Sequence, residues 1–152
     1  DNELPASFLV PNSGLNSGMM IPHVTMSALV AENKVLAHPA STDSIPTSGG
    51  QEDHVSMGMH GARKALQIAE NLEKILGIEL MAACQAIDIQ SQQEKPGKGT
   101  SAVYNLLREQ VASIDSDREF QIDIAKSIEM VVSGKVLNAA ENSIGKLAGL
   151  SL

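Results

Sequence analysis

The residues best suited to chemistry are bunched in one polar segment, 43–58, which reads DSIPTSGGQEDHVSMG. Gln51, Glu52, Asp53 and His54 follow one another there, directly after two glycines that permit close backbone approach to a ligand. The segment precedes a predicted long helix, whose positive N-terminal end stabilises nearby anionic groups. These features are typical of an active-site loop. The alternative interpretation is a capping region, in which the acidic residues stabilise the helix start and have no catalytic function.

The histidines do not predict a metal site. His54 and His60 are six positions apart, whereas a zinc pair on a helix needs i,i+4 spacing. His23 and His38 each adjoin a proline and are interpreted as hydrogen-bonded structural or surface residues. A serine hydrolase is not expected either, because the sequence has no GxSxG turn.

Composition favours an all-α fold with an aliphatic core. Of the 152 residues, 43% are hydrophobic but only 2% are aromatic, whereas β-sheets depend on aromatic and β-branched side chains. The net charge of -7 opposes binding to phosphate, so no nucleic-acid partner is predicted. No transmembrane run or basic leader occurs, so we expect no membrane partner and a cytoplasmic location. The single cysteine, Cys84, is predicted to be a packed hydrophobe.

The predicted secondary structure around the polar segment differs between the two parts of the chain. Residues 1–54 are rich in Pro, Gly, Asn and Ser and predict loops with one medium helix over 23–36. Residues 55–152 predict a helical bundle that begins with a long helix over about 56–92. Further helices are predicted over about 100–114 with Thr100 or Ser101 as N-cap, over 120–132, and up to 147. We interpret the whole as one domain.

The long helix has a regular apolar face. Apolar residues recur every three or four positions, at 62, 65, 66, 69, 72, 76, 80, 83 and 87. Several are alanines, which let neighbouring helices approach closely in an extended antiparallel bundle. The spacing predicts that this face is buried, with Gly77 as the weak point of the helix.

A longer string that contains the polar segment carries a family resemblance. Residues 14–58, GLNSGMMIPHVTMSALVAENKVLAHPASTDSIPTSGGQEDHVSMG, resemble the histidine ammonia-lyase family, within the wider group of aromatic amino-acid ammonia-lyases and aminomutases. The similarity is dense over 4–86 and collinear to the end of the chain. It implies the C-terminal portion of a mostly helical homotetramer with composite active sites, which eliminates ammonia from L-histidine to give urocanate.

The resemblance also implies a cofactor that this chain does not provide. Family members use an electrophilic methylidene-imidazolone made from Ala-Ser-Gly, with a tyrosine on a mobile loop as the base. Every Ser-Gly step in this sequence follows Asn, Thr or Val, so no cofactor-binding residue is predicted here. We expect the precursor in an N-terminal portion of the same enzyme, as this chain's partner, and we expect the isolated chain to be inactive.

The resemblance assigns the catalytic role to Glu52, because the glutamate of the family's QED motif faces the substrate. Relatives that act on phenylalanine or tyrosine usually have glutamine there. A carboxylate makes stronger, charge-assisted bonds to an imidazole N–H or an ammonium group, so Glu52 favours L-histidine as substrate. Gln51, Asp53 and His54 are expected to bind substrate or to orient Glu52. Gly50 departs from the Asn of many members and leaves the substrate preference open.

Two other interpretations stay open from the sequence. The chain is compatible with a noncatalytic helical oligomerisation or interaction module that retains the family scaffold. It is also compatible with part of a related ammonia-lyase or aminomutase that acts on another aromatic amino acid. Because long amphipathic helices leave apolar seams that one small chain cannot cover, we expect a homo-oligomer in every case.

Overall fold

The computed structural model describes residues 7–42, 44–90 and 95–148, which contain five α-helices and no strand. The helices are α1 (Met20–Leu36), α2 (Gly58–Gln90), α3 (Lys98–Arg108), α4 (Phe120–Val132) and α5 (Lys135–Ile144). The all-α prediction is therefore confirmed. None of the described helices is long and apolar enough to cross a membrane. Three positions used above lie outside the described residues: Leu4, where the resemblance begins, Asp43, where the polar segment begins, and Gln92, where the long helix was predicted to end.

Helices α1 and α2 form an antiparallel hairpin held partly by polar contacts. The Asn71 side chain is buried in α2, and its amide donates to Glu32 Oε2 at 2.9 Å and to Asn33 Oδ1 at 3.1 Å. Helix α1 begins three residues earlier than predicted. Pro22 is accommodated in its first turn because backbone N–H groups there have no intrahelical acceptor.

Helices α2 and α4 pack tightly against each other at Gly77. A Cβ atom on Gly77 would lie 2.6 Å from Ile128 Cγ1 and 2.9 Å from the Ile128 backbone nitrogen. Only a residue without a side chain permits this approach. Helix α2 is continuous through Gly77, and this glycine, interpreted from the sequence as a weak point, gives α4 room to pack against α2.

The core is aliphatic, as composition predicted. Its buried members are Val10, Met19, Ile78, Met81, Cys84, Leu107, Val111, Ile114 and Met130. Cys84 is 2% exposed, which confirms its predicted packing role, and burial raises the pKa of its thiol. Gln85 is buried beside it and donates to the carbonyls of Leu9 and Ile114, both at 3.0 Å. The core therefore joins α2 to segments that lie outside the α-helices.

The face of α2 that the spacing predicts to be buried is largely exposed in this chain. Leu66 is 61% exposed and Leu72 is 48% exposed. The buried residues of α2 lie on another face: Asn71, Gly77, Ile78, Met81, Cys84 and Gln85. The prediction was wrong for this chain because α2 has apolar side chains on two sides, and α1 and α4 cover one of them.

The predicted bounds of two C-terminal helices need correction. Helix α3 begins at Lys98 after an N-cap at Gly97, so neither Thr100 nor Ser101 is the cap, and the Ser101 hydroxyl donates to the Pro96 carbonyl. It ends at Arg108 rather than near 114, and α5 ends at Ile144, before the predicted end at 147. Helix α4 has the predicted bounds.

Candidate active site

Residues 44–57 of the polar segment lie between α1 and α2 and form the tip of the α1–α2 hairpin. Thr47 and Glu52 face each other as an antiparallel pair: the Thr47 N–H donates to the Glu52 carbonyl at 2.8 Å, and the Glu52 N–H donates to the Thr47 carbonyl at 3.3 Å. The turn between them has positive φ at three successive residues, Ser48 (55°), Gly49 (68°) and Gly50 (85°). Left-handed backbone favours glycine, which explains the two consecutive glycines before the QED motif.

Two further contacts form a stem beneath this tip. The Val55 N–H donates to Ser44 Oγ at 2.8 Å, and the Ser44 hydroxyl donates to the Val55 carbonyl at 3.4 Å. Farther down, the Lys64 ammonium donates to the His38 carbonyl, which joins the start of α2 to the end of α1. The contacts between residues 38 and 64, 44 and 55, and 47 and 52 follow one another from the helices toward the tip. Glu52 therefore lies at the end of the loop that is farthest from the helices.

The four predicted site residues lie together on this tip. Gln51, Glu52, Asp53 and His54 are all exposed. Within the described residues, the structure records no side-chain hydrogen bond or ion pair from any of the four, so the orienting role of Gln51, Asp53 and His54 stays a prediction. An exposed carboxylate on a hydrogen-bonded turn is available to a group that another part of an enzyme brings to it.

Two open grooves flank the stem. One of about 330 Å³ is lined by His54, Val55 and the start of α2, and the other, of about 300 Å³, by His38, Ser44, His60 and Lys64. Glu52 lines neither groove. A larger apolar cavity of about 820 Å³ lies at the opposite end of α1, between α1 and α4. The chain therefore presents Glu52 at a surface rather than in a pocket of its own.

No group of three or more His, Cys, Asp or Glu residues suited to a metal ion occurs among the described residues. His54 lies on the tip and His60 on α2, and they line different grooves. The geometry thus adds no reason to assign a metal to this segment.

The structure also reveals a polar contact that sequence reasoning missed. The Asp117 carboxylate accepts hydrogen bonds from the backbone N–H groups of Ser17, at 2.8 and 3.0 Å, and Gly18, at 2.7 Å. These bonds hold the pKa of the Asp117 carboxyl below its ordinary value. They tie the loop before α4 to the turn before α1. No sequence signal indicates such a pair, because its members lie about a hundred positions apart.

The chain is similar to known proteins in both sequence and structure. A family model described as aromatic amino acid lyase matches residues 1–109. The histidine ammonia-lyase of Natranaerobius thermophilus is 51% identical over 140 residues, which cover 92% of this chain. Among solved structures, histidine ammonia-lyase from Trypanosoma cruzi has a TM-score of 0.86 at 47% identity over 93% of the chain. Tyrosine aminomutase from Streptomyces globisporus has a TM-score of 0.84 at 36% identity over 91% of the chain.

The relatives are much longer than this chain. It spans 27% of the Natranaerobius protein, 28% of the Trypanosoma cruzi chain and 26% of the aminomutase chain. The similarity is therefore to one part of each relative.

Proposed function

The chain belongs to the aromatic amino acid lyase family, and from that premise we propose that it is the C-terminal part of a histidine ammonia-lyase. The whole enzyme would eliminate ammonia from L-histidine to give urocanate. The observation that carries the proposal is the 51% identity to a histidine ammonia-lyase over 140 residues. The QED turn at the tip of the hairpin supports it, because this turn presents a carboxylate.

Glu52 is the residue of this chain that we assign to the reaction. Its carboxylate would accept a hydrogen bond from the imidazole N–H or the ammonium group of histidine and hold the substrate for elimination. The backbone pairing of Glu52 with Thr47 supports this role, since a fixed backbone lowers the entropy lost when the substrate is oriented. Gln51, Asp53 and His54 would complete the substrate-binding surface.

The methylidene-imidazolone, when present, supplies the electrophile that makes ammonia a better leaving group. No residue of this chain fits its precursor. The closest imitation, Thr47-Ser48-Gly49, lacks the alanine and forms part of the turn that carries Glu52. We therefore assign the electrophile to the N-terminal portion of the enzyme, and Glu52 would act on a substrate held largely by that portion.

The proposal includes assembly with further copies of the enzyme. The exposed apolar face of α2 and the exposed position of Glu52 support a homo-oligomer, a tetramer as in the family that the sequence resembles. In such an assembly, the face of α2 that α1 and α4 leave open would be covered.

A hybrid enzyme tests the proposed function. In it, this chain replaces the matching segment of the Natranaerobius histidine ammonia-lyase, and urocanate formation is followed by absorbance. We expect turnover of L-histidine by the hybrid and none by the isolated chain. A hybrid that has the helical content and size of its parent but forms no urocanate would overturn the proposal, as would substantial turnover by the isolated chain.

The similarity to tyrosine aminomutase favours a second candidate, an enzyme acting on another aromatic amino acid. The hybrid also decides this case. Preference for L-tyrosine over L-histidine, relative to the Natranaerobius parent, would support the second candidate and show that this segment contributes to substrate choice.

A further inference from the structure

Ser44 lies where the exposed loop that carries Glu52 meets the half-buried residues beneath it. Every residue from 45 to 54 is exposed, so apolar packing does not hold this loop in place. Ser44 and Val55, by contrast, are both half-buried. The loop is therefore anchored at this pair of residues.

The contact between them involves one side chain and both polar backbone groups of the other residue. Ser44 Oγ accepts from the Val55 N–H at 2.8 Å and donates to the Val55 carbonyl at 3.4 Å. A hydroxyl makes both bonds at once because it is a donor and an acceptor. Loss of the hydroxyl would leave both half-buried backbone groups of Val55 without this partner.

The Ser44–Val55 contact encloses the Thr47–Glu52 pair. Once residues 44 and 55 are joined, the segment between them is a short closed loop, and formation of the inner pair costs less conformational entropy. Closure at Ser44 thus favours the backbone geometry that presents the Glu52 carboxylate.

We propose that Ser44 is a positioning residue for Glu52, which acts through the backbone of Val55. The inference rests on the proposed function, in which Glu52 contacts the substrate. It adds a residue that the QED motif does not include.

The first test uses the 152-residue chain and does not depend on activity. In Ser44→Ala, we expect amide exchange at Thr47, Glu52 and Val55, measured by NMR, to rise about two- to tenfold. Ser44→Thr should keep wild-type rates, since it retains the hydroxyl and Ser44 lines an open groove of about 300 Å³. Ser41→Ala, at an exposed serine three positions before Ser44, is the matched control. Unchanged exchange at Thr47 and Glu52 in Ser44→Ala would overturn the proposal.

The second test uses the hybrid enzyme. Ser44→Ala should lower kcat two- to tenfold, with KM for L-histidine unchanged to within about twofold, and Ser44→Thr should restore kcat. A wild-type kcat in Ser44→Ala would overturn the positioning role even if exchange rises. A hybrid that is inactive with Ser44 in place would count against the proposed function instead, and the exchange rates would then decide the role of Ser44.

Discussion

At the scale of single residues, Gly50 shows why a departure from the family pattern leaves the turn intact. Its φ of 85° lies in the left-handed region, which glycine adopts freely and asparagine adopts more readily than other residues. Glycine and asparagine, the residue that the family resemblance leads us to expect here, therefore suit the same backbone. Turn geometry therefore accounts for glycine at this position, and the substrate preference stays a prediction that rests on Glu52.

Substitution of Gly50 tests this explanation. Gly50→Ala should weaken the Thr47–Glu52 pair by about 1–2 kcal/mol, because a Cβ is disfavoured at positive φ. Gly50→Asn should cost much less. Amide exchange at Glu52 is the measurement, and equal effects of Ala and Asn would contradict a backbone explanation, since nothing lies within 4 Å of a Cβ at this position.

Asp117 provides a pH-dependent prediction. Its pKa is lowered in the folded chain by the N–H groups of Ser17 and Gly18, so its contribution to stability is complete above the ordinary value of 3.8 and is lost as the pH falls through the lower folded pKa. When the urea midpoint of unfolding is plotted against pH, Asp117→Asn should show a shallower fall at acid pH than the wild type. Ser116→Ala keeps every carboxylate and should retain the wild-type slope. A fall at acid pH in Asp117→Asn as steep as that of the wild type would rule out this linkage.

At the scale of elements, helical spacing predicted the existence of α2 and the bounds of α4 because their apolar residues recur at regular intervals. It placed the end of α3 too late. Val111 and Ile114 fit the spacing and are buried, but they lie in irregular chain. The buried Gln85 side chain bonds both backbone groups of Ile114, and Arg108 donates to the Val111 carbonyl at 3.1 Å. Regular apolar spacing therefore indicates which residues are buried and does not by itself show that the backbone is helical. Here the side chains of Gln85 and Arg108 make hydrogen bonds to backbone groups that lie outside any helix.

The same limit applies to the candidate site. Its residues were predictable because a motif groups Gln51 to His54 in sequence. The contact that anchors the loop of the motif joins Ser44 to Val55, eleven positions later. The Asp117 contact at the other end of α1 joins residues about a hundred positions apart. Such pairs have no periodic signal, so only the folded chain reveals them.

Two glycines of α2 give opposite predictions for the same substitution. Gly77→Ala should destabilise the chain by about 1–3 kcal/mol, because its Cβ would meet the Ile128 backbone. Gly61→Ala is the control: its Cβ would lie 3.9 Å from Ala40 Cβ, an ordinary contact, so the better helix propensity of alanine should add up to about 1 kcal/mol. Urea unfolding followed by circular dichroism measures both. A stabilised Gly77→Ala would contradict the close packing of α2 against α4.

At the scale of the whole molecule, the chain is a helical scaffold that exposes both a long apolar face and its best candidate for chemistry. The exposed face of α2 and the exposed Glu52 have a common explanation in a chain that spans 27% of a related enzyme. In the function proposed above, further copies of the enzyme would cover the first, and its N-terminal portion would complete a site around the second. The sequence predicted the apolar spacing but not which face this chain leaves uncovered, because that depends on how many helices are present.

The central claim is that this chain contributes Glu52 to a histidine ammonia-lyase site, and the most direct test is the turnover of L-histidine by the hybrid enzyme with Glu52→Gln. Loss of a hydrogen bond to a charged group, worth about 1.5–3 kcal/mol, predicts that kcat/KM falls about 10- to 150-fold with unchanged assembly. Glu70→Gln, at an exposed glutamate of α2, should have no effect. A Glu52→Gln hybrid with wild-type kcat/KM would contradict the account.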